Sequence, residues 1–192
     1  MGFNLITDTT AEPVALAAAK DQIRVTTTEE DALIQGMITV ARKWCEGYSG
    51  KSYMAQTWDI YMDDFPRTPY EVPFPPLNSV THIKYVDTDG TTTEVGSTEY
   101  SVDAYSNPGR IDHTYGYTWP ATTLRTVNGV VIRVVAGSTA IGDVPEEYKL
   151  AIKLLVGHLY EHREETSIEK TLETIPMGIK SFLDMSRMTT LP

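Results

Sequence analysis

The spacing of hydrophobic residues changes along the chain, from helical to strand-like and back to helical. Between residues 29 and 48 apolar side chains recur every three or four positions, as in an amphipathic helix. The side predicted to face the core carries Leu33, Ile34, Met37, Ile38, Val40, Ala41, Trp44, Cys45 and Tyr48. The opposite, polar side carries Gln35, Thr39, Arg42, Lys43 and Glu46. This pattern predicts a long helix that packs along one side.

From Tyr53 the period of the apolar residues becomes two. Trp58, Ile60 and Met62 alternate with polar neighbours, which predicts a half-buried strand. Asp87-Thr88-Asp89-Gly90 between two apolar runs predicts a hairpin. Further short strands are expected near residues 100–102 and 129–136, whereas residues 106–126 are expected to form turns and loops. The middle of the chain is therefore predicted to be a small β-rich unit.

Together these patterns predict an α+β fold, a small helical bundle with a β-rich insertion between its two long helices. The helices are expected near residues 13–23, 29–48, 145–164 and 177–187. The predicted organisation is a helical core of residues 1–52 and 140–165, an insertion of residues 53–139, and a charged connector with a C-terminal docking helix over residues 166–192.

The helix expected over residues 145–164 has an unusually wide apolar sector. Leu150, Ala151 and Leu154 extend that sector beyond what a single core-facing side needs. Such a helix is central to its own core or packs on two sides. We therefore predict that Leu150, Leu154 and His158 lie in an interface between subunits.

The C-terminal segment contains a second short run of apolar residues. Ile179, Phe182, Leu183 and Met185 follow a charged stretch and are spaced as on a helix. Two interpretations are equally open. The helix folds back onto the core, or it docks into a groove of a partner protein through these four residues.

Charge and composition argue against several classes of function. The 192 residues carry 16 Lys and Arg against 26 Asp and Glu, a net charge of −10, which is opposite to the basic footprint of a protein that grips nucleic acid. No apolar run is long enough to cross a membrane, and the first residues lack the pattern of a secretory signal. A single cysteine, Cys45, excludes an internal disulfide and is interpreted as core packing.

One short motif points to catalysis. His158-Leu159-Tyr160-Glu161-His162 places two histidines four residues apart on a helix, within reach of one zinc ion, with Glu161 as a candidate general base. The third protein ligand that such a hydrolase needs would have to come from glutamates in the charged stretch that follows. A zinc-dependent hydrolase is therefore the alternative function, and the main expectation is a protein without catalytic residues, metal or cofactor.

Two segments resemble a known family. ALIQGMITVARKWCEGYSGKSYMAQTW (Ala32 to Trp58) and VPEEYKLAIKLLVGHLYEHREE (Val144 to Glu165), followed by a proline and a short final helix, resemble the head–tail connector (adaptor) proteins of tailed bacteriophages. The similarity covers most of the chain and is loosest in the β-rich part. Its elements are diffuse patterns and not an invariant motif.

The resemblance implies a structural virion protein at the head–tail junction, made in the host cytoplasm. It implies a homo-oligomeric ring, dodecameric like the portal above it, through which DNA passes without specific binding. It also implies that residues 176–192 contact the portal protein while the rest of the ring receives the next neck or tail-completion protein. A neck or tail-completion protein one layer further from the head remains an alternative.

Overall fold

A computed structural model describes residues 1–67, 69–162 and 177–184. Within these ranges the chain forms four α-helices and eight strands. The helices are α1 (Leu16–Ile23), α2 (Asp31–Ser49), α3 (Glu146–Glu161) and α4 (Met177–Asp184). The strands are β1 (Gly2–Thr7), β2 (Gln56–Met62), β3 (Tyr70–Glu71), β4 (Leu77–Val86), β5 (Thr92–Glu94), β6 (Tyr100–Asp103), β7 (Arg110–His113) and β8 (Val130–Ala136). The predicted α+β class is confirmed, with each helix within a few residues of its expected position.

The strands belong to one compact unit, formed by Met1–Thr9 and Ala55–Ser138. Five of them make an antiparallel sheet in the order β1-β2-β8-β4-β5, and three make a smaller sheet in the order β3-β7-β6. Alternate residues of β8 are buried, as the period of two requires. They join a core that includes Ile60, Ile83 and Ile111.

Strands β1 and β7 lie where the sequence predicted no strand. β1 pairs with β2 in antiparallel register, although residues 1–52 were assigned to the helical core as a whole. Its sequence GFNLIT offers only six residues, and they follow no clean alternation of buried and exposed positions. β7 lies inside the stretch predicted to be loops, where a single buried residue, Ile111, fixes it in the smaller sheet.

The helices belong to the second unit, formed by Thr10–Met54 and the described part of Thr139–Pro192. α2 packs against α1, α3 and α4, and α3 packs against α1 and α4. The core side chains include Ile34, Ile38, Ala41, Cys45, Ala151, Ile152, Leu155 and Val156. The interpretation of Cys45 as core packing is confirmed, because its side chain is fully buried.

The two sides of α2 differ from the prediction in three residues. Leu33 and Val40 are exposed, although both were placed on the core side, and Arg42 is buried, although it was placed on the polar side. The predicted apolar sector was wider than the surface that the neighbouring helices cover. Arg42 is tolerated inside because two carboxylates receive its guanidinium.

Candidate interaction surfaces

The C-terminal helix α4 folds back onto the helical core. Ile179 is 2% exposed and Leu183 is fully buried, whereas Phe182 is half-buried. The hydroxyl of Tyr48 on α2 donates a hydrogen bond to Asp184 Oδ1 over 3.0 Å. Of the two interpretations of this segment, the structure favours folding back. Two of the predicted docking residues, Ile179 and Leu183, are therefore buried in the chain's own core. A third, Met185, lies outside the described residues.

The predicted subunit-interface residues lie on the outer half of α3. Tyr148, Ile152 and Leu155 face the core. Leu150, Leu154 and His158 are all half-buried, and Leu154 also packs against the edge of that core. Ala151, which was also assigned to the extended sector, is fully buried in the core. The sector is therefore narrower than predicted, with Leu150 and Leu154 at its partly exposed edge, and the subunit interface stays a prediction.

The outer side of α2 is a surface that the sequence interpretation missed. Leu33 is 44% exposed and Val40 is 57% exposed, and both lie on the side of the helix that faces away from its core residues. Gly36 and Gly47 lie along the same side, and a methyl group added at either position would meet no atom within 4 Å. The available signal in the sequence was the width of the apolar set of α2, which extends from Val40 and Leu33 at one edge to Ile38 and Cys45 at the other.

The HLYEH segment forms the last turn of α3 and the residue that follows it, His162. The rings of His158 and His162 lie 4.5 Å apart between centroids, and His162 Nδ1 lies 3.0 Å from the His158 carbonyl oxygen. No group of three or more His, Cys, Asp or Glu side chains that could hold a metal ion occurs among the residues described. The third ligand required by the hydrolase hypothesis has no candidate there. The glutamates of the charged stretch, Glu164, Glu165, Glu169 and Glu173, lie outside the described residues.

Asp87 and Cys45 have structural roles. Asp87 Oδ1 accepts hydrogen bonds from the amides of Asp89 and Thr91, over 3.0 and 2.9 Å, and so closes the predicted hairpin turn. Burial raises the pKa of the Cys45 thiol to about 12, and the neighbouring Glu46 carboxylate adds to this effect. The thiol is therefore protonated at neutral pH and unsuited to nucleophilic chemistry.

No described helix combines the length and the apolar character that crossing a membrane requires.

Comparison with known proteins identifies the family to which these elements are similar. Residues 14–107 match the model of the phage gp6-like head-tail connector proteins. This range contains α1, α2 and the five strands β2 to β6, and it confirms the resemblance to connector proteins. The match supports a structural connector role. Among the curated proteins none matches the chain.

Solved structures of gene transfer agent (GTA) particles share the fold. A chain in the neck of an empty GTA particle, computed with C6 symmetry, has 21% identity and a TM-score of 0.81. A chain in the neck of a native particle, computed with C12 symmetry, has 20% identity and a TM-score of 0.78. A chain from the virion of the native particle has 20% identity and a TM-score of 0.79. In each case the alignment covers 100% of this chain and 98% of the other.

Proposed function

We propose that this chain, which matches the gp6-like head–tail connector family over residues 14–107, is a structural protein of the head–tail junction of a virion. The observation that carries this proposal is the combination of the family match with a fold that is shared over the whole chain. In this proposal the protein makes and breaks no covalent bond. It joins the head to the tail by packing.

The proposed assembly is a homo-oligomeric ring, with twelve copies around the channel. Support comes from the neck structures computed with C6 and C12 symmetry, whose chains have the same fold. We assign Leu150, Leu154 and His158 on the outer side of α3 to the contact between neighbouring subunits. Burying half-exposed leucines is favourable by about 25 cal/mol for each Å² of apolar surface removed from water.

The proposed axial contacts involve the C-terminal segment. We assign residues 176–192 to the portal protein, and the half-buried Phe182 is the described side chain best placed for that contact. Ile179 and Leu183 hold α4 on the helical core and so position Phe182. Met185 is assigned to the same contact by its spacing in the sequence. The rest of the ring would receive the next neck or tail-completion protein.

DNA would pass through the lumen of this ring without being gripped. The net charge of −10 supports this assignment, because like charge opposes adhesion of a phosphate backbone. A mechanical conduit needs no bound metal or cofactor.

Electron microscopy of mixtures with portal-bearing particles tests the proposal. Purified protein is added to tailless heads that carry a portal, and the portal vertex is reconstructed. The expected result is a ring stacked directly below the portal. A ring found only beneath another neck protein would move the chain to the next layer, and particles without added density would overturn the proposal.

A further inference from the structure

The outer side of α2 carries a continuous strip of two glycines, two apolar residues and one lysine. Leu33, Gly36, Val40, Lys43 and Gly47 are spaced by three, four, three and four residues, so they follow one another along a single side of the helix. All five are exposed. The buried residues Ile34, Ile38, Ala41 and Cys45 occupy the opposite side. A solvated helix ordinarily carries polar residues where this one carries leucine and valine.

The two glycines of this strip are required neither by backbone conformation nor by close packing within the described chain. Glycine weakens a helix interior, because it loses more conformational freedom on folding than any other residue. Neither Gly36 nor Gly47 has a positive φ, as Gly50 at the end of α2 does, and neither site would crowd a Cβ atom. Because neither glycine has a side chain, the backbone of another helix can approach this side of α2 closely.

The outer side of α3 has a complementary composition. Glu147, Leu150, Leu154 and Glu161 are spaced by three, four and seven residues along it, so two leucines are flanked by exposed carboxylates. The strip on α2 instead carries one cation, the exposed Lys43, beside its apolar residues. The two surfaces are thus alike in apolar content and opposite in charge.

A ring needs two different surfaces that fit each other. Rotation about an axis brings one patch of each subunit against another patch of the next, and this heterologous contact closes when the rotation closes. The outer side of α3 supplies one such patch. The strip on α2 is a described surface whose composition and charge complement it.

We propose that the strip Leu33–Gly36–Val40–Lys43–Gly47 on α2 binds the outer side of α3 of a second copy of this chain. The inference rests on the proposed ring and adds its second surface. Val40 and Leu33 pack against Leu150 and Leu154 of the next copy, and Lys43 pairs with Glu147 or Glu161 of that copy. Each copy uses both surfaces, so the contact propagates around the ring.

The first test compares Val40→Asp with the matched control Gln35→Asp. Both replace an exposed residue of α2 by the same carboxylate, but Gln35 lies outside the strip. Ring formation below the portal is counted by electron microscopy, and circular dichroism and the melting temperature report on the fold. We expect Val40→Asp to reduce ring occupancy at least tenfold with an unchanged melting temperature, and Gln35→Asp to assemble normally.

A second variant should raise the stability of the fold while it weakens the interface between copies. Gly36→Gln fills open space and should raise the melting temperature, yet its side chain should obstruct the neighbouring helix and reduce ring occupancy. Charge reversal gives a third measurement. Lys43→Glu should weaken assembly, and Lys43→Glu combined with Glu147→Lys and Glu161→Lys should restore it.

A photo-crosslinking residue at position 40 identifies the partner surface directly. Rings are assembled from a mixture of isotope-labelled and unlabelled copies and irradiated, and the crosslinked peptides are sequenced. The expected product joins position 40 to the α3 segment of a differently labelled copy. Normal rings from Val40→Asp, or crosslinks to another segment, overturn the inference and leave the proposed function intact. Failure of the unaltered protein to form any ring overturns both.

Discussion

Arg42 Nε donates a hydrogen bond to Glu12 Oε2 over 2.9 Å, although 30 residues separate the two along the chain. Arg42 Nη1 donates to Glu46 Oε2 over 2.8 Å one turn further along α2. The Arg42 side chain is 1% exposed and the two carboxylates are 14% and 11% exposed. The cation is therefore held inside the helical unit by two partners, and it ties the segment before α1 to α2.

Arg42→Ala should destabilise the helical unit strongly. Removing one member of a buried ion pair leaves the others without compensation, and the typical cost is about 3 kcal/mol of unfolding free energy. Urea denaturation measures this change. Gln35→Ala, at an exposed position of the same helix, is the control and should change the free energy by less than about 0.5 kcal/mol. Equal stabilities of the two variants would contradict the assigned role.

The comparison of Arg42 with its neighbours shows what the sequence could predict. The four helices and the main strands followed from their hydrophobic periods, because a period of 3.6 or 2 places a whole set of side chains on one side. Arg42 could not be placed inside by this reasoning, since its first partner, Glu12, comes from a distant segment. β1 was missed for a similar reason, because its pairing with β2 joins residues at least 50 positions apart.

The interaction surfaces were predictable only in part. The wide apolar sector of α3 singled out Leu150 and Leu154, which are half-buried, and their predicted place in a subunit interface stays a prediction. On α2 the extra apolar residues, Leu33 and Val40, were assigned to the core side. Periodicity does not give the width of the surface that neighbouring helices cover. Whether α4 folds back depends on the match of Ile179 and Leu183 to that core, which spacing alone does not contain.

Gly36→Ala and Gly129→Ala should have opposite effects on stability. At Gly36 a methyl group meets nothing within 4 Å, so the helix should gain about 0.5–1 kcal/mol. At Gly129 a Cβ atom would lie 2.8 Å from the Asp63 carbonyl oxygen and 2.9 Å from Leu124 Cβ. Overpacking there should cost about 1–3 kcal/mol. Chemical denaturation of both variants measures the sign of each change in unfolding free energy. A stabilised Gly129→Ala protein would contradict the close packing before β8.

The carboxyl group of Asp103 should titrate well below an ordinary aspartate. The Ser106 hydroxyl donates to Oδ2 over 2.6 Å, Arg110 Nη2 donates to the same oxygen over 2.7 Å, and the amides of Ser106 and Tyr105 donate to Oδ1. These donors, with the Ser106 hydroxyl first, lower the pKa of Asp103. Since the folded-state pKa is depressed, the stabilisation is present above the unfolded value of about 3.9 and is lost as the pH falls through the folded value.

Carbon-detected NMR titration of the side-chain carboxyl groups measures this pKa. The Asp103 midpoint should lie below about 3.9, and Arg110→Ala should move it upwards because a cationic donor is removed. In Asp103→Asn the amides of Tyr105 and Ser106 should lose the pH dependence of their chemical shifts in that range. An Asp103 midpoint at or above the ordinary value would mean that the β6–β7 turn does not hold these donors in solution.

Leu183→Ala and Phe182→Ala should separate the anchoring of α4 from the proposed portal contact. Leu183 is fully buried, so its truncation should lower the unfolding free energy by about 2–5 kcal/mol through lost burial and a residual cavity. Phe182 is half-buried and should cost less, because part of its ring already contacts water. Denaturation of the two purified variants gives the order, and attachment to portal-bearing particles gives the second readout. Phe182→Ala should remain folded and attach more weakly than the unaltered protein. If Phe182→Ala attaches normally while Leu183→Ala alone fails, α4 serves the fold, and the portal contact lies elsewhere on the chain.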